Sequence, residues 1–290
     1  AEPELQSQGV EVCPRALARA LQTVEVAREG SRSRSRSRSP RSWSPSGRGW
    51  HPPPPPRGAR RCDPPASVPP PVDIWAQQHA EARMALPMFE FRRELLQSVE
   101  AHQVTIIEGE TGCGKTTQAP QYLLEDASER GRPCRIICTQ PRRLAAVSVA
   151  TRVAEERSPD DGELGGTVGY AVRHEHRACG RTCLLFCTTG VALRRLQSDP
   201  ELEGVTHVVV DEVHERTVES DLLLLFLKKL CSQRGDLRVL LMSATLDSSL
   251  LSSYFGVRGG SIKVPGRLFP VKTYYLEDAL GLTRHAVDPR

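Results

Sequence analysis

The strongest constraint on this 290-residue chain is nine residues long. Gly109-Glu110-Thr111-Gly112-Cys113-Gly114-Lys115-Thr116-Thr117 follows the pattern GxxxxGK[ST] and comes straight after the apolar, β-branched stretch Val104-Thr105-Ile106-Ile107. A strand running into such a loop and out into a helix forms a phosphate cradle. Glycines let the backbone fold back so that N–H groups face the anion, the lysine reaches the β and γ phosphates, and the next hydroxyl meets Mg²⁺. The helix-compatible residues 118–125 follow. The pattern implies that a nucleoside triphosphate binds here, with Lys115 on phosphate and Thr116 on the metal.

A second half of that site lies about a hundred residues on. Val208-Val209-Val210 is short and wholly apolar, as in a parallel strand buried on both faces, and it runs into Asp211-Glu212-Val213-His214. Carboxylates at the end of such a strand emerge beside the phosphates. Asp211 is placed to hold Mg²⁺ through its water shell, and Glu212 to orient and deprotonate the water that attacks the γ phosphate. His214 is ambiguous by position alone, since a lone histidine is usually structural.

From residue 84 onward strand and helix patterns alternate. Strands are expected at 104–108, 135–139, 168–173, 183–188, 206–211, 237–243 and 262–264, and helices near 91–102, 115–126, 142–156, 190–197, 217–230 and 247–255. Alternation of this kind gives a three-layer α/β domain around a parallel sheet, with the ligand at the C-terminal ends of the strands. About 190 residues suffice for one well-buried core.

Before residue 83 the chain is of another kind. Twelve arginines against eight acids give this stretch the whole net charge of +4. Residues 31–38 are four Ser-Arg dipeptides, and proline runs fill 52–56 and 69–71. Such composition lacks the apolar surface to repay ordering, so disorder with polyproline II character is expected, apart from a short helix allowed by residues 10–27. The Ser-Arg tract resembles the RS regions of splicing-associated proteins, which implies RNA attraction, splicing or other ribonucleoprotein partners, and reversal of charge by phosphorylation. A solvated low-complexity tail is the equal alternative.

Composition narrows the setting. The longest apolar run, residues 222–227, is far too short to span a membrane. No secretory pattern is present, and nine cysteines without a small-domain framework fit reduced thiols in a nuclear or cytoplasmic protein. His174, His176, Cys179, Cys183 and Cys187 raise a zinc reading, but 183–187 reads as a buried strand and the spacing is not that of a zinc site. Mg²⁺ is the one metal expected.

Five motifs in order carry a family resemblance. Residues 109–117, Thr139-Gln140-Pro141-Arg142-Arg143-Leu144-Ala145-Ala146, Thr188-Thr189-Gly190, Asp211-Glu212-Val213-His214-Glu215-Arg216-Thr217 and Ser243-Ala244-Thr245 resemble motifs I, Ia, Ib, II and III of the DEAH-box RNA helicases. The likeness covers roughly residues 84–275, and Val213 makes this a DEVH variant. It implies a RecA-like phosphate-loop NTPase domain at 83–268, preceded by the tail at 1–82 and followed by a connector at 269–290. It implies Lys115, Asp211, Glu212 and His214 as catalytic residues, and His214 again, with Ser243 and Thr245, as couplers of nucleotide state to RNA grip. Arg152 would stack on the base, which admits ATP and other triphosphates. Arg142, Thr189 and Gly190 would hold RNA phosphates without reading sequence.

The family also needs a second RecA-like domain with an arginine-rich motif of the form QRxGRxGR, which these residues do not contain. The expectation is therefore a fragment or truncated product that binds nucleotide but hydrolyses it poorly alone. The alternative is a non-catalytic product that binds nucleotide and RNA. A transporter ATPase would need an LSGGQ-like segment, and a nucleotide kinase has no need of the Asp-Glu-x-His set.

Overall fold

Apolar strands with two buried faces need helices on both sides, and the chain is arranged in that way. The structure, a computed structural model, describes residues 66–71, 79–157, 164–244, 248–256, 260–266 and 272–283. The Ser-Arg tract, the possible helix at 10–27 and Thr245 lie outside the described residues. Helices α1 (Ala80–Met84), α2 (Pro87–Glu90) and α3 (Arg92–Ala101) lead into β1 (Val104–Gly109). Then follow α4 (Lys115–Glu129), β2 (Ile136–Gln140), α5 (Arg143–Arg157), β3 (Val168–Val172), β4 (Glu175–Arg177), β5 (Leu184–Thr188) and α6 (Thr189–Ser198). The chain continues through β6 (His207–Val210), a 3-10 turn at Val213–Glu215, α7 (Val218–Cys231), β7 (Arg238–Ser243), α8 (Ser248–Phe255), β8 (Ser261–Val264) and α9 (Leu276–Thr283).

The sheet order is β4-β3-β5-β2-β6-β7-β1-β8. Alternate residues of each strand point to opposite faces. Ile107, Val209, Leu240 and Met242 join the core under α3, α4 and α5, while Ile106, Val208, Val210, Val239 and Leu241 join the core under α6, α7 and α8. This is the three-layer α/β architecture expected of a RecA-like domain. The site is fixed by the centre of the order: β1 carries the phosphate loop, β6 carries Asp211, and β7 lies between them.

Two expectations are refined. The sheet is not wholly parallel, because β4 pairs antiparallel to β3 through a turn at His174, whose φ is 66°. Its three residues, Glu175, His176 and Arg177, are exposed or half-buried and carry no apolar signal. The helix expected at 91–102 is present as α3, and a separate four-residue helix, α2, precedes it across Phe91; Pro87 starts α2, and Leu86 before it is extended, as proline demands of its predecessor. Residues 66–71, assigned to the disordered tail, lie against the domain: Cys134 N–H donates to Ser67 O at 2.9 Å, and Pro69 is buried. Pairing through backbone leaves little trace in composition.

Helix α7 shows why its segment is a helix at all. Thr217 is extended and its hydroxyl accepts the N–H of Ser220 at 3.1 Å, capping the first turn. Glu219 and Asp221 sit at the positive end of the helix dipole, Lys228 and Lys229 at the negative end. Leu223, Leu224, Leu227 and Leu230 form the stripe it buries.

Candidate nucleotide-binding and catalytic site

The loop after β1 depends on backbone that only glycine adopts freely. Gly112 and Gly114 have φ of 83° and 93°. At Gly109 a Cβ would come within 2.8 Å of Cys113 Sγ. The loop rests on α2, where Met88 N–H donates to Cys113 O at 3.0 Å. Lys115 opens α4 and is 3% exposed. The first turn of α4 has no side-chain cap, so its N–H groups and dipole face the loop's concavity.

Asp211 is 2% exposed, and its carboxylate is satisfied from three directions. Oδ2 accepts from Thr116 Oγ1 at 2.6 Å and from Gln140 Nε2 at 2.8 Å, and Oδ1 accepts from Glu212 N–H at 2.9 Å. A buried carboxylate needs such partners. The geometry brings Thr116 of motif I and Asp211 of motif II to one point.

Glu212 has φ of 53°, a left-handed conformation that costs a non-glycine residue on the order of 1 kcal/mol. Burial, and then the neighbouring Asp211, raise its pKa above the ordinary carboxylate value, partly offset by Lys115 and His214. His214 Nδ1 lies 3.2 Å from Glu212 Oε2 and 3.3 Å from Ala244 N. One nitrogen serves one partner at a time: protonated it donates to Glu212, bare it accepts from the Ala244 N–H. The ring thus stands between motifs II and III. Ser243, next to Ala244, is buried, and its hydroxyl has no hydrogen-bond partner among the described residues.

The residues expected to hold RNA emerge together. Gln140 of β2 is in register with Thr188 of β5, so Arg142 and the Thr189–Gly190 pair leave the sheet side by side. Arg142 is 75% exposed and pairs with Glu215 at 3.1 Å. A Cβ at Gly190 would lie 3.4 Å from the Glu219 carboxylate. Arg152 stands apart on α5, half exposed, its Nε donating to Glu156 Oε1 at 2.8 Å.

Sequence reasoning quoted Gln140 without giving it a task, although an amide ending the strand beside β6 was a usable signal. It missed Gln118, Glu125 and Glu156 altogether, since buried polar residues within helices leave no pattern. His174, His176, Cys179, Cys183 and Cys187 are spread over the turn before β4, β4 itself, the following loop and β5. Among the described residues no group of three or more His, Cys, Asp or Glu side chains is arranged to hold a metal.

A phosphate loop opening a helix, with an Asp-Glu pair ending a neighbouring strand of a parallel core, defines a phosphate-loop nucleotide-hydrolase domain. Residues 90–252 match the family model described as DEAD/DEAH box helicase, more than half of the chain, and the chain belongs to that family. It is similar to the putative ATP-dependent RNA helicase DHX57 of Mus musculus, 54% identical over 216 residues, which are 73% of this chain and 15% of the relative. It is similar to the DExH-box ATP-dependent RNA helicase DExH1 of Arabidopsis thaliana, 49% identical over 207 residues, 71% of this chain and 20% of the relative. With the human ATP-dependent DNA/RNA helicase DHX36 it shares 47% over 211 residues, 72% of this chain and 21% of the relative. The match thus spans about a fifth or less of the length of these relatives. No described helix is long and apolar enough to cross a membrane.

Proposed function

We propose that this chain is the ATP-binding motor domain of an RNA helicase, which binds ATP with Mg²⁺ and RNA by its backbone. It hydrolyses ATP when a second RecA-like domain supplies arginines to the site. The observation that carries this reading is the meeting of Thr116 and Asp211 at 2.6 Å, beside the buried Lys115 and the half-buried Glu212. A hydroxyl and a carboxylate oxygen at one point are the hard ligands that suit Mg²⁺, Asp211 acting through the ion's water shell. When bound, the ion neutralises charge on the transferring phosphoryl group. Lys115 places a fixed charge on the β and γ phosphates, the glycine-rich backbone supplies N–H donors, and Glu212 accepts the proton of the attacking water. His214, between Glu212 and the end of β7, relays the state of the nucleotide to Ser243 and Thr245.

Arg152 stacks on the base, tolerating more than adenine. Arg142, Thr189 and Gly190 grip RNA phosphate, and the Ser-Arg tract adds sequence-indifferent affinity and a docking segment for ribonucleoprotein partners in the nucleus or cytoplasm. Calorimetry tests the core of the proposal. Lys115→Ala should weaken ATP–Mg²⁺ binding at least about tenfold, the scale of a lost charge-assisted contact, and leave AMP nearly unchanged. Equal ATP affinity in the variant would overturn it.

A further inference from the structure

We propose that Glu156 is a positioning residue for the nucleotide base, holding the Arg152 guanidinium at a fixed place relative to the phosphate loop. The inference rests on the reading that Arg152 stacks on the base. It starts from an unusual carboxylate: Glu156, in the last turn of α5, is 3% exposed and accepts hydrogen bonds from residues on both α5 and α4. Its Oε1 takes Arg152 Nε at 2.8 Å. Its Oε2 takes Gln118 Nε2 at 2.9 Å and Gln121 Nε2 at 2.8 Å. Gln118 is fully buried, sits directly after the phosphate-loop motif, and also donates to Thr117 Oγ1 at 3.0 Å. The buried Arg83 closes the network, donating to Gln118 Oε1 at 2.8 Å and to Glu125 Oε1 at 2.6 Å.

An ordinary i, i+4 pair on a helix surface is mobile and weak, because both side chains are free to swing. Here one of the two partners has no such freedom. The second oxygen of Glu156 is fastened to α4, the helix that begins with Lys115 and Thr116. Anything that places α4 therefore places the Glu156 carboxylate, and through it the Nε edge of Arg152. A guanidinium gripped along one edge keeps its face and its outer nitrogens available, which is the disposition stacking needs. The phosphate end and the base end of one ligand are thereby set at a fixed separation by protein groups alone. A buried ionic network is weak grounds for a stability role, since apolar residues would fill the same space as well or better.

The experiment compares two ligands that differ only in the presence of a nucleoside: ATP–Mg²⁺ and inorganic triphosphate with Mg²⁺, titrated into the full chain. Glu156→Gln should weaken ATP about fivefold, the scale of one charge-assisted contact, while inorganic triphosphate changes less than about twofold. Glu156→Asp keeps a buried carboxylate but draws it back toward α5 and away from Gln118 and Gln121, so Arg152 loses its tie to α4; it should show the same selective loss and carries the test if the amide variant does not fold. In an Arg152→Ala background, Glu156→Gln should have no further effect on ATP. Equal weakening of both ligands would mean that Glu156 only braces α4 against α5, and unchanged ATP binding would mean that it does nothing for the base; either overturns the proposal. If Arg152→Ala itself leaves ATP binding unchanged, the stacking reading fails, whatever Glu156 does.

Discussion

At the phosphate end of the site Lys115 and Asp211 are 3% and 2% exposed, and the donors around Asp211 are in place within 2.9 Å. At the edge where β2 and β5 end, by contrast, Arg142 is 75% exposed beside Glu215, and the apolar side chains of Leu144 and Val218 stand in solvent. The first region is built before its ligand arrives, so its dipoles need no reorganisation when charge moves. The second is a solvated surface whose attractions are electrostatic and screened by salt. One short segment feeds both. Asp211 and Glu212 follow β6 beside the phosphate loop, while Glu215 and Glu219, four to eight residues after Asp211, lie over Arg142 and Gly190. Left-handed backbone at Glu212 and Arg216 brackets the turn between them.

The contrast is broken most directly at Glu212. In an enzyme completed by its second RecA-like domain, Glu212→Gln should lower RNA-stimulated ATP turnover by at least about a hundredfold with ATP binding retained, the lower end of what general-base catalysis contributes. Unchanged turnover would remove Glu212 from the chemistry. The same residue sets a pH dependence. Burial and Asp211 hold its pKa above the ordinary carboxylate range, so the acid limb of turnover should fall at a pH higher than an ordinary carboxylate would give. Stability runs the other way: a group whose pKa is raised by folding contributes its full share at low pH and loses it as pH climbs through that raised value. The residue proposed as the general base would thus cost the fold stability at the pH where it is ionised, a trade common at catalytic sites.

At the exposed edge effects should be smaller and depend on salt. Arg142→Ala should reduce single-stranded RNA affinity several-fold, lower the slope of log K against log salt by about one, and leave ATP affinity unaltered. Filter binding over a salt series measures both. A parallel, merely displaced line would show that Arg142 does not touch phosphate.

How much of this could be read in advance follows the same division. Strands such as Val208–Val210, buried on both faces, announce themselves by composition, and the phosphate loop is legible because each residue type in it has a distinct task. The convergence of Thr116 on Asp211, 95 residues apart, follows once β1 and β6 are placed on either side of β7. What stayed hidden has little hydrophobic signature. β4 is three exposed or half-buried residues, and the 66–71 segment is joined through a carbonyl oxygen. The bonds of Glu156 to Gln118 and Gln121 span 38 and 35 residues between two helices whose spacing no periodicity fixes. The carboxylates over the Arg142–Gly190 edge were likewise invisible, because Glu215 reads simply as a charge in a polar turn and Glu219 as a charge in the first turn of a helix.

Glu215→Gln is the finest test of the comparison. An exposed ion pair is worth at most about 1 kcal/mol and often nothing, since two long side chains must be ordered to form it in screened solvent. Arg142 and Glu215, 75% and 26% exposed, fall largely in that class, so removing the charge should leave thermal stability within about 0.5 kcal/mol. Its effect on RNA is a matter of competition. If the carboxylate occupies the place a phosphate would take, neutralising it frees the guanidinium, and RNA affinity at low salt should rise up to about threefold, with the gain shrinking as salt screens both partners. The rise should vanish in an Arg142→Ala background, because Glu215 would act only through that arginine. A fall in RNA affinity would instead show that Glu215 holds Arg142 in its gripping position, making this edge as preorganised as the phosphate end.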